Sequence, residues 1–184
     1  MPAEHMIRHG APTLAGLKTG SLFSCPYQDK HQLLGSVRTM NQQLGAKGLR
    51  ILPLRFTENR ALIYLYRPKK LQQDLSDTTA ANLLRCRGYS CTEDCQRCVV
   101  QLAKKLRESE EFPHEIGLFL GYPPEDVHGF IENGADQCKC TGCWKVYGDE
   151  AAAQKKFNQY KKCTRVYCDR WQKTKDIDRL TVAG

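Results

Sequence analysis

At 184 residues, 41% hydrophobic and 26% charged, the chain is long enough to bury a core of ordinary size. No run approaches the ~18 apolar residues of a membrane span, and no basic segment followed by an apolar stretch opens the chain as a secretory signal does. The expectation is a cytoplasmic protein without membrane contact, with a formal net charge of +8 and ten cysteines, which in a reducing compartment point to metal, redox or reactive thiols rather than a disulfide framework.

In chain order, residues 11–24 (APTLAGLKTGSLFS) read as a strand with a Gly-rich bend, followed by Cys25 and Pro26. Asp29 is placed to cap a helix from Lys30 to about Leu44, with Leu33, Leu34, Val37 and Leu44 inward and Gly45 and Gly48 at its end. Residues 49–56 and 61–67 alternate as two strands around a four-residue turn, 57–60, and Pro68 stops the second. Residues 69–84 and 91–110 read as helices, the latter with Thr92 as a cap.

The stretch from Phe112 to Asn133 carries the densest structural instructions. Pro113 and Glu115 suit a first helical turn, Gly121 breaks the helix, and Pro123 and Pro124 open another with Glu125 and Asp126 in its first turn. Ile116, Phe119 and Leu120 on one helix, and Val127, Phe130 and Ile131 on the next, make two apolar faces meeting at a corner, with Gly134 as a C-cap. Residues 137–147 hold a turn and the short strand WKVY. Residues 149–171 form a long helix with Ala153, Phe157, Tyr160, Thr164, Tyr167 and Trp171 at steps of three and four. The order predicts an α+β domain over residues 1–172, a small mostly antiparallel sheet of about four strands covered by helices, with a loose polar tail over 173–184.

The runs APTLAGLKTGSLFS, ALIYLYR, FPHEIGLFLGYPPEDVHGFI and WKVYGDEAAAQKKFNQYKKCT resemble an uncharacterised bacterial family, domain of unknown function 3793, typical of anaerobic bacteria. The resemblance spans nearly the whole chain. It implies a cytosolic setting and company with iron-handling and flavodoxin-like proteins, and it transfers no catalytic role. The family often carries a cysteine where Gly10 stands, and the central cysteines look like additions to its pattern.

Cys91, Cys95 and Cys98 spell C-x3-C-x2-C, a spacing that can hold three irons of an Fe–S cluster. Arg97 before the last cysteine, and the short chain that follows, argue against a radical enzyme barrel. The same residues share a helical stripe with Leu102 and Leu106, so packing explains them equally well. Cys138, Cys140 and Cys143 spell C-x-C-x2-C in a Gly-containing turn, where packing explains little. With Cys86 these give seven thiols in two groups, candidate ligands for zinc or an Fe–S cluster, with disulfides or reactive thiols as the alternative.

Two other function classes stand beside metal binding. One is an enzyme using the N-terminal strand, with Lys18, a Cys25 thiol activated at a helix start, and His114 as base. The other is nucleic-acid binding through the basic residues after Lys155, which otherwise read as a solvated helix face. The corner has helix-turn-helix spacing, but its second helix offers Glu125, Asp126 and Glu132, which phosphates would repel, so nucleic acid is not expected there. Residues 16–21 (GLKTGS) lack the order of a phosphate loop.

Overall fold

A computed structural model describes residues 3–90, 92–109 and 111–184. The chain is α+β and divides into two compact units, Met1–Lys69 with Lys162–Gly184, and Lys70–Lys161.

The first unit is built on an antiparallel sheet of order β1-β3-β2, from β1 (Gly20–Pro26), β2 (Arg50–Phe56) and β3 (Arg60–Tyr66). The central strand β3 is apolar along nearly its whole length, and its Ile63, Tyr64 and Leu65 are fully buried, as a strand covered on both faces requires. Edge strand β2 carries Pro53, whose missing N–H is harmless there, and the pairing jumps from Pro53–Ile63 to Arg55–Leu62, leaving Leu54 as a bulged residue.

Helix α2 (Lys30–Gly45) begins where expected: the Asp29 carboxylate accepts from the amides of His31 and Gln32. Leu33, Val37 and Leu44 are buried, but Leu34, expected inward, is exposed. A larger departure is α1 (Ala3–Leu14), which takes residues 11–14 of the expected first strand. Met6, Ile7, Ala11 and Leu14 recur on its buried face. Gly10 sits where helix and sheet meet: an added Cβ would lie 2.6 Å from Leu65 Cδ2. The helix stops at Leu14, and the turn after it passes through Gly16, whose φ of 75° only glycine adopts readily.

Arg67 then locks the unit. Its buried guanidinium donates to the carbonyls of Thr13 and Leu14 in the last turn of α1, at 2.7 and 2.8 Å, and to Val182 at 2.7 Å. A cation at a helix C-terminus meets the negative end of the dipole and its orphan carbonyls. The residues after Lys173 are not a loose tail, because Ile177 and Leu180 belong to this core and the Val182 amide donates to Leu14.

The second unit is helical around a two-stranded hairpin. The expected helix over 69–84 is two, α3 (Pro68–Leu75) and α4 (Thr78–Cys86), because Asp77 caps a new start by accepting from the amides of Thr79 and Ala80. Helix α5 (Cys95–Glu108) is capped by Asp94, not Thr92; Cys91 and Glu110, the bounds expected for it, lie outside the described residues. The corner is present as α6 (Ile116–Phe119) and α7 (Pro124–Asn133), with Gly121 at φ 74° between them. Strands β4 (Cys140–Thr141) and β5 (Lys145–Val146) form the hairpin, so the expected small antiparallel sheet structure is present as a three-stranded and a two-stranded sheet. Helix α8 (Glu150–Thr174) supplies residues to both units. Among the described residues, no helix is long and apolar enough to cross a membrane.

Candidate functional site

Two stretches that read separately along the sequence, GYPPEDVHGF and WKVYGDE, interlock at one carboxylate. Pro124 fixes the first turn of α7, which sends Glu125 outward and Asp126 inward to full burial. Asp126 Oδ2 accepts from Trp144 Nε1 at 2.7 Å, and Oδ1 accepts from the amides of Tyr147 and Gly148, each at 2.7 Å. Three charge-assisted bonds satisfy the buried carboxylate without a cation. Close approach makes the glycines necessary: a Cβ on Gly129 would lie 2.4 Å from Tyr147 Cγ, and one on Gly148 would lie 2.6 Å from Glu125 Cγ.

Around this joint, the Tyr122 ring stacks on Trp144 at 4.7 Å, Trp144 meets Phe157 edge-on at 4.5 Å, and Tyr122 donates to the Cys143 carbonyl. A cavity of about 450 Å³ opens beside Tyr122, Glu125 and Asp126. Asp77 and Asp149 also line it, but each spends its carboxylate on capping a helix.

The hairpin hung on Asp126 carries the second cysteine group. Cys138 and Cys140 are half-buried and Cys143 is exposed. Burial pushes the Cys140 thiol up from its ordinary value, and the negative charge of Glu150 pushes the same way. Cys138 Sγ lies 3.7 Å from Thr141 Oγ1. In the first group, Cys95 and Cys98 are buried on the inner face of α5 with Leu102 and Leu106, as the packing alternative has it, while Cys86 is exposed and Cys91 lies outside the described residues. Among the described residues, no three His, Cys, Asp or Glu side chains already converge on a point that could hold an ion.

Residues 6–181 match the sequence profile of the family described as "Protein of unknown function (DUF3793)". The chain belongs to that family. No curated protein and no solved structure matches it.

The remaining candidates of this DUF3793 chain are placed as follows. Cys25 is fully buried at the end of β1, and desolvation raises its thiol above the ordinary value, the reverse of an activated nucleophile. Lys18 is half-buried in the turn between α1 and β1. His114, in the second unit, is exposed, with its ring edge-on to Phe130 at 4.9 Å. It borders a cavity of about 230 Å³ that also takes in Arg87, Lys105 and Glu115.

Glu115 is the more unusual group there. It is buried, and its Oε1 accepts from Tyr89 Oη at 3.2 Å and pairs with Lys105 Nζ at 3.5 Å. Burial, with the adjacent Glu115 carboxylate, raises the Tyr89 phenol far above its ordinary range. Lys105 is held in turn by the Arg87 carbonyl at 2.6 Å and the face of Tyr89. Sequence reasoning took Glu115 and Asp126 for dipole-complementing charges, because first-turn acids look alike whether they face water or the core. The only signal was the partners they need, a tyrosine 26 residues upstream and a tryptophan 18 downstream.

Proposed function

We propose that the protein binds a thiophilic metal ion at the β4–β5 hairpin, with Cys138, Cys140 and Cys143 as thiolates and Glu150 as the fourth donor. The observation that carries the reading is three thiols within six residues of one short hairpin, Cys138 and Cys140 half-buried and Cys143 exposed, with the charge of Glu150 acting on Cys140. Three sulfurs and one oxygen make a tetrahedral set suited to zinc; the same thiols could hold an Fe–S cluster with a non-cysteine fourth ligand. Packing accounts for the fully buried Cys95 and Cys98 but not for an exposed Cys143 on a turn. The sulfurs close on the ion as they lose their protons, so binding is coupled to pH and to hairpin order.

The test is anaerobic purification with elemental analysis, followed by cobalt titration read in the thiolate charge-transfer bands. One equivalent is expected, lost in Cys140→Ser with Cys143→Ser and kept in Cys86→Ser. Zinc gives a colourless protein and an Fe–S cluster a brown one. A metal-free protein that gives no thiolate bands with cobalt, or a metal retained by the double serine variant, defeats the reading.

A further inference from the structure

Helix α8 is 25 residues long and carries only two acids, Glu150 and Asp169. Against them stand seven exposed cations: Lys156, which lines the cavity beside Tyr122, and six more, Lys155, Lys161, Lys162, Arg165, Arg170 and Lys173. At ~100° per residue these six fall within roughly half of the helix circumference, opposite the stripe that buries Ala153, Phe157, Tyr160 and Trp171. Among the described residues none of the six has a carboxylate within ion-pair distance, whereas Arg8, Lys47, Arg85, Arg97, Lys104, Lys105 and Arg179 each have one. An ordinary solvated helix pairs opposite signs at three- and four-residue spacing; here Asp169, four residues from both Arg165 and Lys173, is the one acid within the positive face, and among the described residues it pairs with neither.

We propose that the exposed face of α8 is a binding surface for the phosphate backbone of duplex DNA. From Lys155 to Lys173 the cations extend about 27 Å along the axis, at 1.5 Å per residue. A duplex presents one phosphate charge per ~1.7 Å of its own axis, so over that length the six cations face roughly sixteen phosphates and can neutralise a minority of them. The cations reach both flanks of the face, Lys161 and Arg165 on one side and Arg170 on the other. A helix lying along a groove meets phosphates on both sides, and the major groove admits a helix. The chemistry is that of backbone binding with little sequence preference. It differs from the corner, whose second helix places acids where phosphates would lie.

The test is fluorescence anisotropy of a labelled mixed-sequence duplex of about 20 base pairs, titrated across salt. With four to six phosphate contacts, the slope of log affinity on log salt is expected at about −3.6 to −5.4, or ~0.9 per contact. Lys162→Gln with Arg165→Gln should make it shallower by about 1.8. Arg38→Gln with Arg55→Gln, exposed cations off this face, removes the same charge and should leave the slope unchanged. Far-UV circular dichroism checks that the variants fold, and Lys155→Gln with Lys173→Gln replaces the first pair if it does not. Absence of binding at low salt, an equal effect of both pairs, or binding to anionic lipid vesicles but not to the duplex overturns the proposal.

Discussion

Replacing Asp126 should unfasten the second unit more than any other single polar substitution in it. Asp126→Ala removes the acceptor for three N–H groups: the buried Trp144 indole and the half-buried amides of Tyr147 and Gly148. An unsatisfied buried donor costs about 1–3 kcal/mol, and the two amides, which water can partly reach, fall at the low end, so the sum is about 3–5 kcal/mol. Asp126→Asn separates the terms. Its oxygen can still accept from the two amides, but its NH2 must face the Trp144 N–H, donor against donor, at a cost of about 2 kcal/mol. Urea unfolding followed by tryptophan fluorescence reads both. With a slope near ~2 kcal/mol/M, the alanine variant should lose roughly 1.5–2.5 M in midpoint and the asparagine variant about 1 M. An alanine variant within 1 kcal/mol of the parent, or an asparagine variant as damaged as the alanine, would refute the account of this joint.

Other expectations follow from the same coordinates. Gly129→Ala forces a methyl into the Tyr147 ring and should cost about 1–3 kcal/mol in the same unfolding assay. Arg67→Met leaves four carbonyls, those of Thr13, Leu14, Lys47 and Val182, without their buried cation; a loss of about 3 kcal/mol is expected, with faster hydrogen exchange at the Val182 amide than at the sheet amides of β3. Burial raises the phenols of Tyr122 and Tyr160 from 10 to about 12, and Cys143 adds to both. The folded state therefore holds these protons more tightly than the unfolded chain. The stability involved is whole below pH 10 and is lost as pH climbs through about 12, which alkaline unfolding and absorbance at 295 nm should show together. At neutral pH, iodoacetamide should label Cys86 and Cys143 well before Cys25, since the first two are exposed and the third is a buried thiol with a raised pKa.

The elements legible in the sequence were those whose instructions are local. Asp29 before a helical repeat, the short turn between two alternating strands (expected over 57–60, observed over 57–59), and Gly121 with its two prolines each define an element within a few residues. Helix α1 was not legible, because residues 11–24 read as a strand with a Gly-rich bend and the helical face of Met6, Ile7, Ala11 and Leu14 begins before that stretch. Gly10 is there for the Leu65 contact, a reason that lies in β3, 55 residues on. The break between α3 and α4 was legible in principle, since Asp77 is a capping residue inside an otherwise continuous helical pattern. For the candidate site, spacing singled out both cysteine groups, and the helical stripe offered packing for Cys95 and Cys98 but little for the hairpin thiols. What spacing lacks is burial, which is a property of the fold: Cys95 and Cys98 are buried and Cys143 is exposed.

The hairpin strands are two residues each, far too short to hold in isolation. Asp126 grips the return strand, and Gly142 lies so close under the Phe157 ring that a Cβ could not fit. A ligand for this loop meets only the fraction of molecules in which the loop is formed, and its apparent affinity scales with that fraction. A residue that offers no donor atom would thus govern how tightly the proposed metal is held: if loss of the Asp126 clasp left the loop formed about one tenth of the time, the apparent dissociation constant would rise about tenfold with every sulfur still in place.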